Sequence, residues 1–117
     1  VSKRNDLPKS KVYFSGLNRY AEPSIRKIFT NTINVLHREL MVIGSVAVGG
    51  VFVASGYMDG IVATHNKPWD TLPIAFAVEE AGGKVTDIKG KKHSIKSENC
   101  VLSNGLIHDE LIRILSS

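Results

Sequence analysis

Asp70 opens an expected helix, where a carboxylate can hold a cation or serve only as the cap. The stretch Asp70-Thr71 with Pro73 reads as a helix N-cap followed by a first-turn proline. Backbone N–H groups at such a terminus position a carboxylate and disfavour its protonation. What remains is a hard anionic oxygen of the kind a hard cation takes. Trp69 is expected to pack behind this carboxylate and fix its direction, although a plain helix cap would also use an aspartate here. At Gly44-Ser45 an apolar run stops and a helix opens. A strand-to-helix turn of this kind presents N–H groups to an anionic or hydroxylated ligand. The alternative is a tight turn whose glycine only permits close packing. A dinucleotide fingerprint is excluded by the glycine spacing of residues 44–50. His65 and Lys67 lie in the loop before Asp70, where they can meet a substrate or a phosphate ester or simply face solvent. Asp59 and Asp87 fit turns and have no carboxylate partner nearby in sequence. Cys100, beside Val101 and Leu102, reads as a buried strand thiol with no histidine paired to it.

The elements that must position these residues alternate along the chain. Residues 1–10 are polar and are expected to be a flexible lead-in to one domain over residues 11–117. Lys11 to Ser15 has strand composition, and Glu22-Pro23-Ser24 opens a helix whose apolar face is Ile25, Ile28, Phe29, Ile33 and Leu36. Leu40 to Ile43 reads as a strand covered on both faces. Val46 to Ser55 reads as a helix in which Gly49 and Gly50 allow close packing on a sheet. A short strand over Ile61–Ala63 leads to the helix that begins at Asp70 and stops at Gly82-Gly83. Lys84–Thr86 and Cys100–Leu102 are two further strands joined by a basic turn, and Leu106 to Leu115 is a closing helix. The expected fold class is α/β, a layered and largely parallel sheet with helices packed on it.

At 117 residues, with 43% hydrophobic and 22% charged residues, the chain has the balance of a folded domain and not of a disordered segment. No apolar run approaches the ~20 residues that span a bilayer, so no membrane partner is expected. A single cysteine excludes an internal disulfide and points to a reducing, cytoplasmic setting. The net charge of +4 permits anionic ligands such as phosphate esters. The basic run from Lys89 to Lys96 interleaves no aromatic residue, so nucleic acid is not the expected partner.

Read together, Gly44-Ser45-Val46-Ala47, Gly56-Tyr57-Met58-Asp59-Gly60, Lys67-Pro68-Trp69-Asp70 and Glu79-Glu80-Ala81-Gly82-Gly83 resemble the C-terminal signature of the inositol monophosphatase family. The Trp-Asp pair followed about ten residues later by Glu-Ala-Gly-Gly is its specific part. The resemblance implies a fold similar to that of fructose bisphosphatases and hydrolysis of small phosphate monoesters with magnesium, commonly inhibited by lithium. It implies that Asp70 is a metal ligand, that Gly44, Ser45 and Val46 lie beside the substrate, and that a homodimer is an available assembly. In inositol-specific members an acidic residue contacts the polyol seven positions before the metal aspartate, and that position here is Ala63.

Family members also carry a Glu-Glu pair and an Asp-Pro-Ile-Asp-Gly-Thr type motif in an N-terminal half; the second motif does not occur here, and the one Glu-Glu pair of this sequence, Glu79-Glu80, belongs to the C-terminal signature. One carboxylate holds magnesium poorly. The expectation is therefore that these 117 residues are the C-terminal half of a sugar-phosphatase-type sandwich, inactive alone and completed by the missing half. Two rival readings are a non-catalytic module that binds a ligand, a partner or itself, and a nucleic-acid-binding domain suggested by the basic turn alone.

Overall fold

Strand alternation decides the architecture. The computed structural model describes residues 1–42 and 44–117. Among them β1 (Val12–Ser15), β2 (Met41–Val42), β3 (Gly60–Ala63), β4 (Lys84–Thr86) and β5 (Cys100–Ser103) form one sheet in the order β2-β1-β3-β5-β4. β1 pairs in parallel with β2 and β3, whereas β5 is antiparallel to β3 and β4, so β5 alone opposes the common direction. Val12, Phe14, Val62 and Val101 pack with Ile25 and Ile28 of α1 (Pro23–Val35) and with Leu111 and Ile114 of α4 (His108–Leu115). Their strand neighbours Tyr13, Ile61, Ala63 and Leu102 pack on the opposite side with Val46 and Val53 of α2 (Val46–Ala54) and Ile74 and Val78 of α3 (Pro68–Glu80). The period of two thus sorts each strand between two cores, and three layers result.

The connections set where a ligand can enter. β1-α1-β2 steps to one side, and β2-α2-β3 crosses back over β1 to the other. Right-handed crossovers in opposite directions place α1 and α2 on opposite faces. At β1 and β3 the chain leaves the sheet toward different layers, which opens a crevice at their carboxyl ends.

Gly49 and Gly50 serve the close packing expected of them. A Cβ on Gly49 would stand 2.5 Å from Ile61 Cδ1, and one on Gly50 would stand 1.8 Å from Ile74 Cγ1. Gly82, at φ 92°, ends α3 as expected.

Four local expectations are corrected. Residues 1–10 are fastened to the domain: Leu7 is buried, Ser2 Oγ donates to Asp59 Oδ1 at 2.5 Å, and Asn104 Nδ2 donates to Arg4 O at 2.7 Å. The strand expected over Leu40–Ile43 is a two-residue edge strand with Met41 and Val42 exposed; Ile43 lies outside the described residues. α1 buries Thr32 and exposes Ile33, because it rests on the sheet through the Ile25–Ile28 stripe. α3 starts at Pro68, not at Asp70. Among the described residues no helix is long and apolar enough to cross a membrane.

His108, which the sequence does not single out, is a fully buried imidazole at the start of α4. Its Nδ1 meets Ser103 Oγ at 2.8 Å and its Nε2 meets Thr86 Oγ1 at 2.9 Å. Burial first, and the Lys84 charge second, lower its pKa from 6.5 to about 4. A folded-state pKa below the unfolded value means that the fold prefers the neutral ring. The stabilisation is therefore complete above pH 6.5 and is lost as pH falls toward 4, by roughly 3 kcal/mol at most. Thermal unfolding between pH 7 and pH 4 is expected to show this loss in the wild type and a flatter profile in His108→Gln; parallel profiles would contradict it.

Candidate functional site

Two recesses open at the carboxyl ends of β1 and β3. One, about 390 Å³, is lined by Gly44, Ser45, Val46, Asn66, Trp69 and Asp70 among others. A second, about 520 Å³, lies against the loop after β1 and includes Tyr20, Thr64 and His65 in its wall. Ser15, Gly44 and Asn66 border both, so the two are lobes of one cleft.

Asp70 sits at the third residue of α3. Pro68 takes the first helical position, where its missing N–H costs no hydrogen bond, and Lys67 supplies the extended cap. Lys67 N–H donates to Asp70 Oδ2 at 3.3 Å, and Asp70 N–H donates to Lys67 O at 2.9 Å. The carboxylate is thus tethered through one oxygen at a helix N-terminus, while the residue remains exposed. Trp69 does not pack behind it: the indole is 73% exposed, because its position on α3 faces away from the sheet.

Ser45 caps α2, its Oγ accepting from Val48 N–H at 3.3 Å. Tyr13 holds this turn from beneath. Its hydroxyl donates to Ser45 O at 2.8 Å and accepts from Ser45 N–H at 3.1 Å, across 32 residues of chain. Burial raises the Tyr13 pKa, the bond to Ser45 opposing it. Sequence reasoning missed this tyrosine because nothing local marks a strand residue whose hydroxyl reaches a distant turn. Gly44 differs from the packing glycines. A Cβ there would meet nothing within 4 Å. Close packing among the described residues does not require glycine at that point.

The sequence candidates therefore divide. Gly44, Ser45, Val46, Trp69 and Asp70 share one lobe. His65 lines the other. Ala63 lines neither: it is fully buried in the core between the sheet and α2/α3, as the last inward-facing residue of β3. Lys67 also lies outside both linings. Asp59 accepts Lys11 N–H at 2.7 Å and belongs to the fastening of the N-terminus, and Asp87 accepts Lys89 and Lys91 N–H in the basic turn. Burial pushes the Cys100 thiol up to about 12, so it is an inert core group. Among the described residues no group of three or more His, Cys, Asp or Glu side chains gathers to hold a metal ion, and Asp70 is the carboxylate offered to the first lobe.

The sequence profile of the inositol monophosphatase family matches residues 2–117. The chain is 39% identical over 79 residues to a fructose-1,6-bisphosphatase/inositol-1-monophosphatase of Thermotoga maritima, covering 68% of this chain and 31% of that protein. It is 29% identical over 122 residues to a histidinol-phosphatase of Mycobacterium tuberculosis, covering 100% of this chain and 44% of that one. The extragenic suppressor protein SuhB of Bartonella henselae superposes on all of this chain with a TM-score of 0.92 at 25% identity, over 45% of its own length. A Thermotoga maritima IMPase does so over 99% of this chain with a TM-score of 0.84 at 30% identity. The chain thus spans under half the length of each of these relatives, and it belongs to the inositol monophosphatase family.

Proposed function

We propose that the whole protein is a metal-dependent phosphatase of small phosphate monoesters, to which this chain supplies Asp70 as a magnesium ligand and the Gly44–Val46 turn as the substrate-side wall. The observation that carries this reading is Gly44. It is a glycine with free space around its missing side chain, and it borders both lobes of the cleft beside an exposed helix-terminal carboxylate. Clearance for a ligand accounts for it where packing does not.

The donor chemistry fits a hard cation. Asp70 keeps one oxygen clear of the Lys67 contact, but magnesium requires more ligands than one carboxylate. The others come, on this reading, from the remainder of the polypeptide. When bound, magnesium neutralises phosphoryl charge and activates water. The chain's own part is to fix the Asp70 oxygen through α3, and to offer the Ser45 turn, braced by Tyr13, to the ester's oxygens. Water is the attacking group and no covalent intermediate is required. The relatives are a fructose-1,6-bisphosphatase/inositol-1-monophosphatase and a histidinol-phosphatase, which supports a small phosphorylated substrate without choosing among them. Ala63 is buried, so a polyol contact at that position is not part of the proposal. The single buried thiol fits a cytoplasmic setting.

A second reading, self-association of this chain, has its own observation. α2 carries no polar side chain, and the outer surface of α2 and α3 exposes Val48, Val51, Trp69, Leu72 and Phe76. A layer apolar on both sides is built to be covered. We assign the missing half of the protein as its cover; on the isolated chain a second copy would take that place.

Three outcomes test these assignments. In the full-length protein, Asp70→Asn is expected to lower activity and raise the magnesium concentration needed for half-maximal rate; magnesium-dependent kinetics identical to wild type would contradict the metal role. Gly44→Ala is expected to leave thermal unfolding of the chain within ~0.5 kcal/mol of wild type while raising KM for the ester several-fold. Light scattering of the isolated chain should show apparent mass rising with concentration, and Val51→Lys with Phe76→Lys should abolish the rise; a wild-type chain monomeric throughout would remove the case for a covered face.

A further inference from the structure

A separate recess, of about 400 Å³, lies at the other end of the sheet from the cleft. Lys11 directly precedes β1 and Asp59 directly precedes β3, so it opens at the amino ends of the two strands whose carboxyl ends bound the cleft. Its wall includes Lys3, Arg4 and Lys11, with Asn5, Tyr57 and Asp59. The three cations have no acidic partner. Among the described residues the ion pairs join Lys9 to Asp6, Lys84 to Asp109 and Arg113 to Glu110. Asp59, the one carboxylate of the wall, is 6% exposed and committed on both oxygens: Oδ1 accepts from Ser2 Oγ and Oδ2 from Lys11 N–H. Three like charges therefore border one recess, a repulsion that an anion relieves.

The backbone that carries these cations is fixed. Asn104, itself buried, donates from Nδ2 to Ser2 Oγ at 2.9 Å and to Arg4 O at 2.7 Å, and its N–H donates to Asp59 O at 3.0 Å. Asp59 N–H donates to Lys11 O at 2.9 Å. The Gly56-Tyr57 turn closes on the same segment: Gly56 takes φ 84°, and a Cβ there would stand 3.5 Å from Ser2 N. Tyr57 lies tilted against Phe52, with ring centroids 6.1 Å apart. The chain is thus fastened through main chain and neutral side chains, and the charged ends of Lys3, Arg4 and Lys11 take no part in that fastening. A guanidinium fork with two ammonium groups suits phosphate oxygens, and a recess of this size admits a small molecule.

We propose that this recess is a second ligand site, apart from the cleft that holds Asp70, and that it takes a small, multiply charged phosphate anion through Lys3, Arg4 and Lys11. The proposal goes beyond the phosphatase reading and does not depend on it.

The test is calorimetry of inorganic pyrophosphate binding to the full-length protein, free of magnesium and at low ionic strength, where exposed charges are least screened. One anion per chain is expected to bind the wild type. Lys3→Gln with Arg4→Gln is expected to weaken it about tenfold or more, and Lys11→Gln alone severalfold. Lys89→Gln with Lys92→Gln removes the same charge from the basic turn and should leave the affinity within about twofold. Thermal unfolding supplies a second readout. Pyrophosphate should raise the midpoint of the wild type and not that of the double variant at positions 3 and 4. Without the anion that variant's midpoint should not fall, because the bond to Arg4 O is made by main chain. No binding to the full-length protein would overturn the proposal, since other chain then fills the recess or nothing does. Equal weakening by the two double variants would also overturn it, by showing that net charge alone draws the anion.

Discussion

β1 and β3 lie side by side in parallel and release the chain toward opposite faces of the sheet, and the cleft exists because of that divergence. Every residue given a role in the cleft stands on it. Ser15 ends β1, Thr64 to Asn66 follow β3, and the Gly44–Val46 turn arrives from β2 across the gap. The divergence follows from sequence through period-two burial. Tyr13, Ile61 and Ala63 claim one helical layer, while Val12, Phe14 and Val62 claim the other. Tyr13 then joins packing to chemistry, because its ring lies 3.1 Å from where a Cβ of Gly49 would stand, and its hydroxyl holds both backbone groups of Ser45.

The two helical layers differ outward as much as they agree inward. α1 and α4 turn charged residues such as Arg26, Lys27, Glu110 and Arg113 to water, the usual division of an outer layer. α2 and α3 turn out valines, Trp69 and Phe76. This difference, the lone carboxylate of the first lobe, and a length under half that of the relatives all fit the proposal that further chain completes a metal site and covers the apolar layer.

Much of this was legible in the sequence because it is local. Strands with alternating inward residues and the Gly82 stop depend on neighbours a few positions away, and the α2 glycines show their role by lacking a side chain, although Ile61 and Ile74 lie farther along the chain. The resemblance that picked out Gly44, Ser45, Val46 and Asp70 also gathered residues that the fold places in one lobe. Three kinds of feature escaped. The start of α3 was misplaced because two prolines competed for its first turn, and Pro68 at the first helical position prevails over Pro73, which sits inside the helix. The fastening of residues 1–10 and the His108 network depend on partners distant in sequence or on burial, as with Asp59 and Ser2, 57 residues apart. Trp69 and Ala63 were given roles by their spacing from Asp70, whereas their surroundings are set by helix face and strand parity.

The central claim is that the Asp70 carboxylate binds the catalytic cation of the complete protein. An anomalous difference map of full-length crystals soaked in manganese, which accepts the same oxygen ligands as magnesium, tests it most directly. A peak about 2.1 Å from Asp70 Oδ1, with its remaining ligands drawn from chain outside these 117 residues, is the predicted result. An ordered cation coordinated elsewhere, with the Asp70 carboxylate free of it, would contradict the account.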